Sequence, residues 1–313
     1  MKVLLFSHIQ DIDGMGSVIL GKMAFSSLDY VLCKTFEVTD KVSSYYKEGK
    51  LYDYDFVFIN DLCIKEPLLG IIDKDNQLRN KILVFDHHIT EIEEGNDKYN
   101  YVNIIVENDK GKTCGTSLFY DYLLENNYIK RTKTLDEFVE LTRQHDTWEW
   151  KTKYNNPLAR DLYVLFGELG YEKYLDVMLL IVKNNNGVVF DKQEQKVIDE
   201  YNKKFNNDIK DILENMKPYS LDVNGEVYRI GFIRCPYKYR NDINELVKEN
   251  NKHDVDLVGM IFDDMDTVSY RLVKNKDASK VAVYFGGKGH KDASSNLQNN
   301  EKFKIVLNEL EKK

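Results

Sequence analysis

Aspartates stand at four places in the first 150 residues, at three of them together with histidine, and this combination is typical of a hydrolytic metal site. Imidazole and carboxylate ligands without cysteine suit Mn²⁺, Mg²⁺, Fe²⁺ or Zn²⁺. Displacement at phosphorus benefits from two such ions about 3.5–4 Å apart, which polarise the phosphoryl group and activate a water molecule. The four places are His8 with Asp11 and Asp13, Asn60-Asp61, Asp86-His87-His88, and His145-Asp146.

Each of these fragments also has a plain structural interpretation. Asp11-Ile12-Asp13-Gly14 is a common way to form a turn or to cap a helix. Asn60-Asp61 is equally compatible with the end of a strand and the cap of the next helix. Two adjacent histidines behind an aspartate, as at Asp86-His87-His88, are an uncommon way to end a strand and favour a function. Together, the fragments favour a metal centre.

Three short apolar segments predict the strands that position these side chains. Lys2–Phe6, Phe56–Ile59 and Lys81–Phe85 are almost continuously apolar, as strands of a parallel sheet covered on both faces are. Helical segments lie between them, so the pattern is β-α-β with right-handed crossovers. The predicted fold is α/β, a doubly wound and mainly parallel sheet. Ligands of such sheets bind at the carboxyl ends of the strands, where the aspartates and histidines follow.

The second half of the chain predicts a helical linker and a smaller α+β domain. Residues 171–216 are strongly helical in pattern, and Pro218 is predicted to end that helical region. Asn224-Gly225 between two apolar segments predicts a tight hairpin. The predicted domains are therefore 1–190 for the metal-binding catalytic domain, 191–217 for the linker and 218–313 for the substrate-binding domain.

Composition limits the classes of protein that fit. The 313 residues carry a net charge of −8, which argues against tight binding of long nucleic acid through many phosphate contacts. No run approaches the roughly 18 consecutive apolar residues of a membrane span, and the short apolar N-terminus fits a buried strand better than a secretory leader. The four cysteines form no CxxC pair, so a reducing cytoplasm is the predicted location.

In their order along the chain, the motifs resemble those of the DHH phosphoesterase superfamily. Residues 7–17 resemble its first motif, Asn60-Asp61 the second, Asp86-His87-His88 the triplet that names it, and Asp146 the fourth. Phe285 to Ala293 resembles the glycine-rich motif of the associated substrate domain, DHHA1. Two departures stand out: His8 precedes Asp11 by three residues, where many members have two or four, and Lys288 interrupts the glycine run.

The resemblance implies a role for each matching residue. The site would hold two divalent ions, with Mn²⁺ as the favoured metal, and Asp61 would be a ligand of both. His88 would act on the substrate phosphate as a hydrogen-bond donor or general acid, and Asp86 would orient its neighbours. The implied ligands are His8 and Asp11 for one ion, Asp13, His87 and Asp146 for the other, and Asp61 for both.

The C-terminal motif is predicted to bind substrate. Consecutive glycines permit close backbone approach and an anion-binding nest, although a flexible loop is the plain alternative. A guanidinium suits bidentate phosphate recognition, and the resemblance implies this role for Arg271. The candidate substrate-binding residues are Arg271, Gly286, Gly287, Lys288, Gly289 and His290.

The compact pair of domains most resembles the small oligoribonucleases of the superfamily. The leading hypothesis is hydrolysis of short oligoribonucleotides or dinucleotides to mononucleotides. The alternatives are a phosphatase for 3′-phosphoadenosine 5′-phosphate, a cyclic-dinucleotide phosphodiesterase and a non-catalytic nucleotide-binding protein. The predicted partners are short RNA oligonucleotides or phosphorylated nucleotides and, for assembly, a homodimer. Long duplex nucleic acid and membranes are not predicted as partners.

Overall fold

The computed structural model describes residues 1–312, which divide into two compact units. The first unit ends at Ile198 and the second begins at Asp199. Each unit has its own sheet and its own hydrophobic cluster. The predicted boundaries at residues 190 and 217 stay a prediction, and the division between the units lies within the predicted linker. Among the described residues, no helix combines the length and the apolar character needed to span a membrane.

The first unit contains a parallel sheet of five strands, which confirms the predicted fold class. Its strand order is β2-β1-β3-β4-β5, and every neighbouring pair is parallel. The three predicted strands are the central ones, because their apolar side chains are buried on both faces of the sheet. The strands are β1 (Lys2–His8), β2 (Ser27–Cys33), β3 (Phe56–Asn60), β4 (Ile82–Asp86) and β5 (Val102–Ile104).

Helices cover both faces of this sheet. On one face the core includes Phe58, Phe85 and Phe119, whose rings lie 5.0–6.4 Å apart; on the other, Val57 and Ile59 join a second aliphatic cluster. The helices are α1 (Ile12–Ala24), α2 (Val38–Lys47), α3 (Leu68–Lys74), α4 (Ile89–Glu93), α5 (Gly115–Glu125), α6 (Lys133–Asp146), α7 (Glu149–Thr152) and α8 (Pro157–Asn184). A small hairpin of β6 (Glu107–Asn108) and β7 (Gly111–Lys112) precedes α5.

The second unit is built on a mixed sheet of six strands in the order β12-β13-β11-β10-β9-β8. The predicted hairpin is present at Asn224 and Gly225, whose φ angles of 55° and 86° fit a type I′ turn. The strands are β8 (Lys217–Val223), β9 (Glu226–Cys235), β10 (Leu257–Phe262), β11 (Thr267–Leu272), β12 (Lys288–Gly289) and β13 (Ala293–Leu297). The helices are α10 (Arg240–Glu249), α11 (Ala278–Tyr284) and α12 (Glu301–Glu311).

The helical region ends before Pro218, within two residues of the predicted end at Met216. The last helix before Pro218 is α9 (Lys192–Glu214), and strand β8 begins three residues after its end, at Lys217. Pro218 lies inside β8, which is the edge strand of the second sheet. An edge strand tolerates proline because its outward N–H needs no partner within the sheet.

Candidate metal centre

Three neighbouring strands end at the same edge of the first sheet and bring their polar residues together there. β1 ends at His8, Asp61 directly follows β3, and β4 ends at Asp86 before His87. Because β1, β3 and β4 are adjacent and parallel, their carboxyl ends coincide. Asp61 has a left-handed backbone conformation with φ of 57°, which is uncommon outside glycine and concentrates at functional sites.

Two helices add three further carboxylates to this edge. Asp11 is the N-cap of α1 and accepts a hydrogen bond of 3.0 Å from the Gly14 N–H, as the sequence suggested for a capping aspartate. Asp13 lies in the first turn of α1 and is fully buried. Asp146 is the last residue of α6. The structural and functional interpretations of the first motif are therefore compatible, because Asp11 caps the helix and also faces His8.

His8, Asp11 and Asp61 form the first group of potential ligands. The Nδ1 atom of His8 lies 2.8 Å from Asp11 Oδ2 and 3.4 Å from Asp61 Oδ2. One ligand atom from each of the three residues lies within 4.8 Å of the others. The three-residue spacing between His8 and Asp11 thus brings both side chains to one point.

Asp13, His87 and Asp146 form the second group, and Asp61 lies next to it as well. His87 Nε2 is 3.4 Å from Asp146 Oδ2 and 3.9 Å from Asp13 Oδ2. The same nitrogen is 3.4 Å from Asp61 Oδ1, whereas the other oxygen of Asp61 faces His8. Asp61 therefore has one oxygen directed to each group, as a shared ligand requires. The assignment of these six residues as ligands stays a prediction.

The N-terminus of α5 holds Asp13 in place. The backbone N–H groups of Gly115 and Thr116 each donate a hydrogen bond of 2.7 Å to the Asp13 carboxylate. The positive end of the helix dipole favours the negative charge of that carboxylate. A Cβ atom at Gly115 would lie 2.8 Å from the Cβ of Asp61, so only glycine fits between α5 and Asp61. Sequence analysis missed Gly115 and Thr116 as part of the site.

The cluster holds more carboxylates than its own histidines can neutralise. Burial raises the pKa of Asp13 well above its ordinary value, and the charge of Asp61 raises it further. Burial likewise raises the pKa of Asp146 to about 7, although the charge of His87 opposes the shift. For Asp61, burial would raise the pKa, but the neighbouring rings of His8 and His87 outweigh it and lower the pKa. Buried like charges of this kind are relieved by bound cations.

Several polar atoms of the cluster are buried without a hydrogen-bond partner. They include Asp61 Oδ2, His87 Nε2 and Asp146 Oδ2. Unpartnered buried polar atoms are rare and costly in proteins, so they point to a missing ligand. The donor set is oxygen and nitrogen only, and no cysteine belongs to the groups. These residues therefore fit divalent cations of the Mn²⁺ and Mg²⁺ type.

Asp86 is placed to orient the two histidines that follow it. One of its oxygens accepts hydrogen bonds from the backbone N–H groups of His87 and His88, at 2.7 and 3.2 Å. The same oxygen lies 2.6 Å from His88 Nδ1. Asp86 is buried, whereas half of the His88 side chain is exposed. These contacts are compatible with the orienting role predicted for Asp86.

The glycines of the predicted substrate motif have a structural reason that sequence analysis did not consider. A Cβ at Gly287 would lie 2.0 Å from the Ser295 carbonyl oxygen, and one at Gly289 would lie 2.4 Å from Ser294 Cα. The motif packs closely on β13, and Lys288 and Gly289 pair with that strand. The predicted flexible-loop alternative is therefore replaced by a short hairpin.

The other predicted substrate-binding residues lie around this hairpin in the second unit. Gly286 has a φ of 73°, which favours glycine. Lys288 and His290 are exposed, and Arg271 is partly buried on β11, next to Ala293 of β13. Contact of these residues with substrate stays a prediction.

Metal affinity should depend on pH, because protons and cations compete for the same histidines. Burial alone would lower the pKa of His8 and His87, but their aspartate partners outweigh it and raise these values to about 11 and about 10. Both rings are thus protonated in the metal-free protein at neutral pH, and binding must displace protons. We expect Mn²⁺ affinity to rise steadily between pH 6 and 9, with proton release detectable by calorimetry in buffers of different ionisation enthalpy. A constant affinity over this range would contradict the assignment.

Most of the first unit is similar to a known protein family. Residues 2–142 match the model of the DHH family, N-terminal domain. Oligoribonuclease NrnB of Bacillus subtilis (strain 168) is 28% identical over 309 residues, which cover 97% of this chain and 75% of that relative.

Solved structures share the fold at low sequence identity. The exonuclease RecJ bound to manganese gives a TM-score of 0.61 with 13% identity, covering 99% of this chain and 89% of that one. The pGpG-specific phosphodiesterase PggH from Vibrio cholerae gives a TM-score of 0.55 with 11% identity, covering 100% and 99%. At such identities the likeness shows the fold alone.

Proposed function

Because residues 2–142 match the DHH family, N-terminal domain, we propose that this chain is a divalent-metal-dependent phosphodiesterase of that family. Its proposed substrates are short oligoribonucleotides or dinucleotides, which it hydrolyses to mononucleotides. The observation that carries the proposal is the position of Asp61, with one carboxylate oxygen directed to each of two groups of potential ligands. A carboxylate shared by two neighbouring cation sites is typical of two-metal sites that hydrolyse phosphate esters.

Two ions, proposed to be Mn²⁺, would be held by the residues of the two groups. His8, Asp11 and Asp61 would hold the first, and Asp13, His87, Asp146 and Asp61 would hold the second. When bound, the ions would supply a water of lowered pKa and neutralise the charge of the reacting phosphate. The buried carboxylates also favour Mn²⁺ or Mg²⁺ over metals that prefer thiolate ligands.

His88 is proposed to donate a hydrogen bond or a proton to the substrate. Burial alone would lower the pKa of His88, but its hydrogen bond with Asp86 and the charge of that carboxylate raise the value to about 9. In the metal-free protein the ring is then positively charged at neutral pH, and its Nδ1 lies 2.6 Å from Asp86 Oδ1. Its Nε2–H is available to the phosphate or to the leaving oxygen, as a general acid requires.

The substrate class is supported by sequence similarity and by charge. The Bacillus subtilis relative, to which 97% of this chain aligns, is an oligoribonuclease. The net charge of −8 disfavours long nucleic acid, which binds through many phosphate contacts. A cytoplasmic location and a homodimer remain predictions.

A panel of end-labelled RNAs of two to five nucleotides, incubated with Mn²⁺, tests this function. We expect release of mononucleotides, with no release when a chelator is present. Duplex RNA should be a poor substrate. Cyclic dinucleotides and 3′-phosphoadenosine 5′-phosphate belong in the same panel. If only one of those two were hydrolysed, the substrate assignment would be wrong. If none of the compounds were hydrolysed, the chain would instead be a nucleotide-binding protein.

A further inference from the structure

Three partly exposed aromatic rings form a row next to the second group of potential ligands. The rings belong to His145 of α6, Trp148 directly before α7, and Tyr163 of α8. The His145 ring stacks on Tyr163 with 4.5 Å between centroids, and the Trp148 ring meets His145 edge-on at 6.4 Å. Asp146, whose carboxylate faces His87, lies between His145 and Trp148 in sequence. Its Cα atom is therefore within about 7 Å of both of their Cα atoms.

Buried rings support this aromatic row from the interior of the unit. Trp150 packs edge-on against Trp148, with 5.3 Å between centroids, and Phe166 lies 6.5 Å from Tyr163. Both supporting rings are buried, whereas the three rings of the row keep part of their surface exposed. Single exposed apolar side chains are common on proteins, but neighbouring ones that form a continuous patch mark binding sites.

The backbone of Trp148 has a conformation that disfavours a bulky side chain. Its φ and ψ angles are 62° and 8°, in the left-handed region. The position directly after the C-cap of a helix, here Thr147 of α6, is usually glycine when it is left-handed. Bulky residues with this conformation are outliers that concentrate at functional sites. Tryptophan at this position therefore indicates a role for the indole ring itself.

We propose that the aromatic row binds a nucleobase of the substrate by stacking, at the nucleotide whose phosphate lies at the candidate metal centre. The inference rests on the proposed function and adds Trp148 as a substrate-binding residue. Aromatic side chains, histidine included, are the usual stacking partners of unpaired bases in single-stranded RNA. A base carries no charge at neutral pH, so it can lie beside carboxylates that would repel a second phosphate.

Stacking also matches the substrate class. Every base has a π-face, so a stacking site accepts all four bases, as hydrolysis of short RNAs of any sequence requires. Bases paired within a duplex are stacked on each other and are not free to bind such a row. The aromatic row would therefore favour single-stranded ends over duplex RNA.

Binding of adenosine 5′-monophosphate and of ribose 5-phosphate, each in the presence of Mn²⁺, tests this proposal. The two ligands share the ribose and the phosphate, so the difference between their affinities reports the base alone. Wild-type protein should bind the nucleotide about 5- to 150-fold more tightly, which is the range expected for one stacked base. The monophosphates of guanosine, cytidine and uridine should each have an advantage over ribose 5-phosphate as well.

Trp148→Gly should reduce the advantage of the nucleotide by about tenfold while affinity for ribose 5-phosphate and bound Mn²⁺ per chain stay unchanged. Glycine suits the left-handed backbone, so the end of α6 should be retained. The control is Tyr171→Ala, which removes an exposed ring of the same unit outside the aromatic row and should leave every affinity unchanged. Circular dichroism verifies that each variant is folded.

Tryptophan fluorescence gives a second readout that does not depend on Trp148→Gly folding. The chain has two tryptophans, Trp148 and Trp150, so Trp150→Phe leaves Trp148 as the only one and keeps an aromatic ring behind the row. Adenosine 5′-monophosphate should quench the emission of wild-type protein and of Trp150→Phe, whereas ribose 5-phosphate should not.

Three results would overturn the proposal. They are equal binding of the two ligands by wild-type protein, an unchanged nucleotide advantage in Trp148→Gly, and binding of the nucleotide without quenching. Loss of bound Mn²⁺ in Trp148→Gly, or an equal loss of affinity for both ligands, would show that the indole only holds Asp146 in place and would also overturn it. If the nucleotide keeps its advantage but no RNA is hydrolysed, the proposed function fails and the stacking site stands.

Discussion

Replacing Asp61 with asparagine should lower the hydrolysis of a short oligoribonucleotide by about a thousandfold or more. The two oxygens of Asp61 face His8 and His87, which belong to different groups of ligands, so the substitution weakens both cation sites at once. Metal ions contribute several kcal/mol to stabilising the transition state, and each 1.36 kcal/mol corresponds to tenfold in rate. Asparagine keeps the size of the side chain, so the fold should be retained. The measurements are kcat/KM with Mn²⁺, bound metal per chain and circular dichroism.

The control for this variant is Asp97→Asn, which removes an exposed carboxylate of the same unit outside the cluster. It should have wild-type activity and metal content. An Asp61→Asn protein that keeps most of the wild-type activity would show that Asp61 is not a shared ligand. If Asp61→Asn does not fold, Asp61→Ser serves in its place, because serine removes the charge without adding a clash.

Gly115→Ala should damage the site although it replaces none of the predicted ligands. The added methyl group would lie 2.8 Å from Asp61 Cβ and 2.9 Å from the Asp61 backbone nitrogen, and neither can rotate away. Either Asp61 or the start of α5 must move, and α5 also holds Asp13 through two backbone hydrogen bonds. Displacement of reacting groups by about 1 Å can cost roughly a hundredfold in rate. Overpacking should also destabilise the fold by about 1–3 kcal/mol.

Gly167→Ala is the matched control, because a Cβ at Gly167 in helix α8 meets no atom within 4 Å. Alanine is the better helix former, so this variant should be unchanged or more stable by up to about 1 kcal/mol. Denaturant unfolding gives the two stabilities, and kcat/KM gives the two activities. Equal activity of both variants would mean that the contact between α5 and Asp61 does not constrain the site.

The potential ligands at the strand ends could be predicted from sequence because their positions follow from the arrangement of the strands. Apolar segments that each end in aspartate or histidine must meet at one edge once they form a parallel sheet. His8, Asp61 and His87 are brought together in this way. The strand β2 was not predicted, because its sequence mixes polar and apolar residues at the edge of the sheet.

The supporting contacts could not be predicted, because they join residues far apart in sequence. Gly115 contacts Asp13 from 102 positions away, and the segment around it resembles any capped helix start.

Anomalous scattering from crystals grown with Mn²⁺ tests the central claim most directly. Two peaks are expected about 3.5–4 Å apart, one beside His8 and Asp11 and the other beside Asp13, His87 and Asp146, with Asp61 between them. Manganese bound only outside these residues, or one ion that does not contact Asp61, would contradict a two-metal centre at this edge of the sheet.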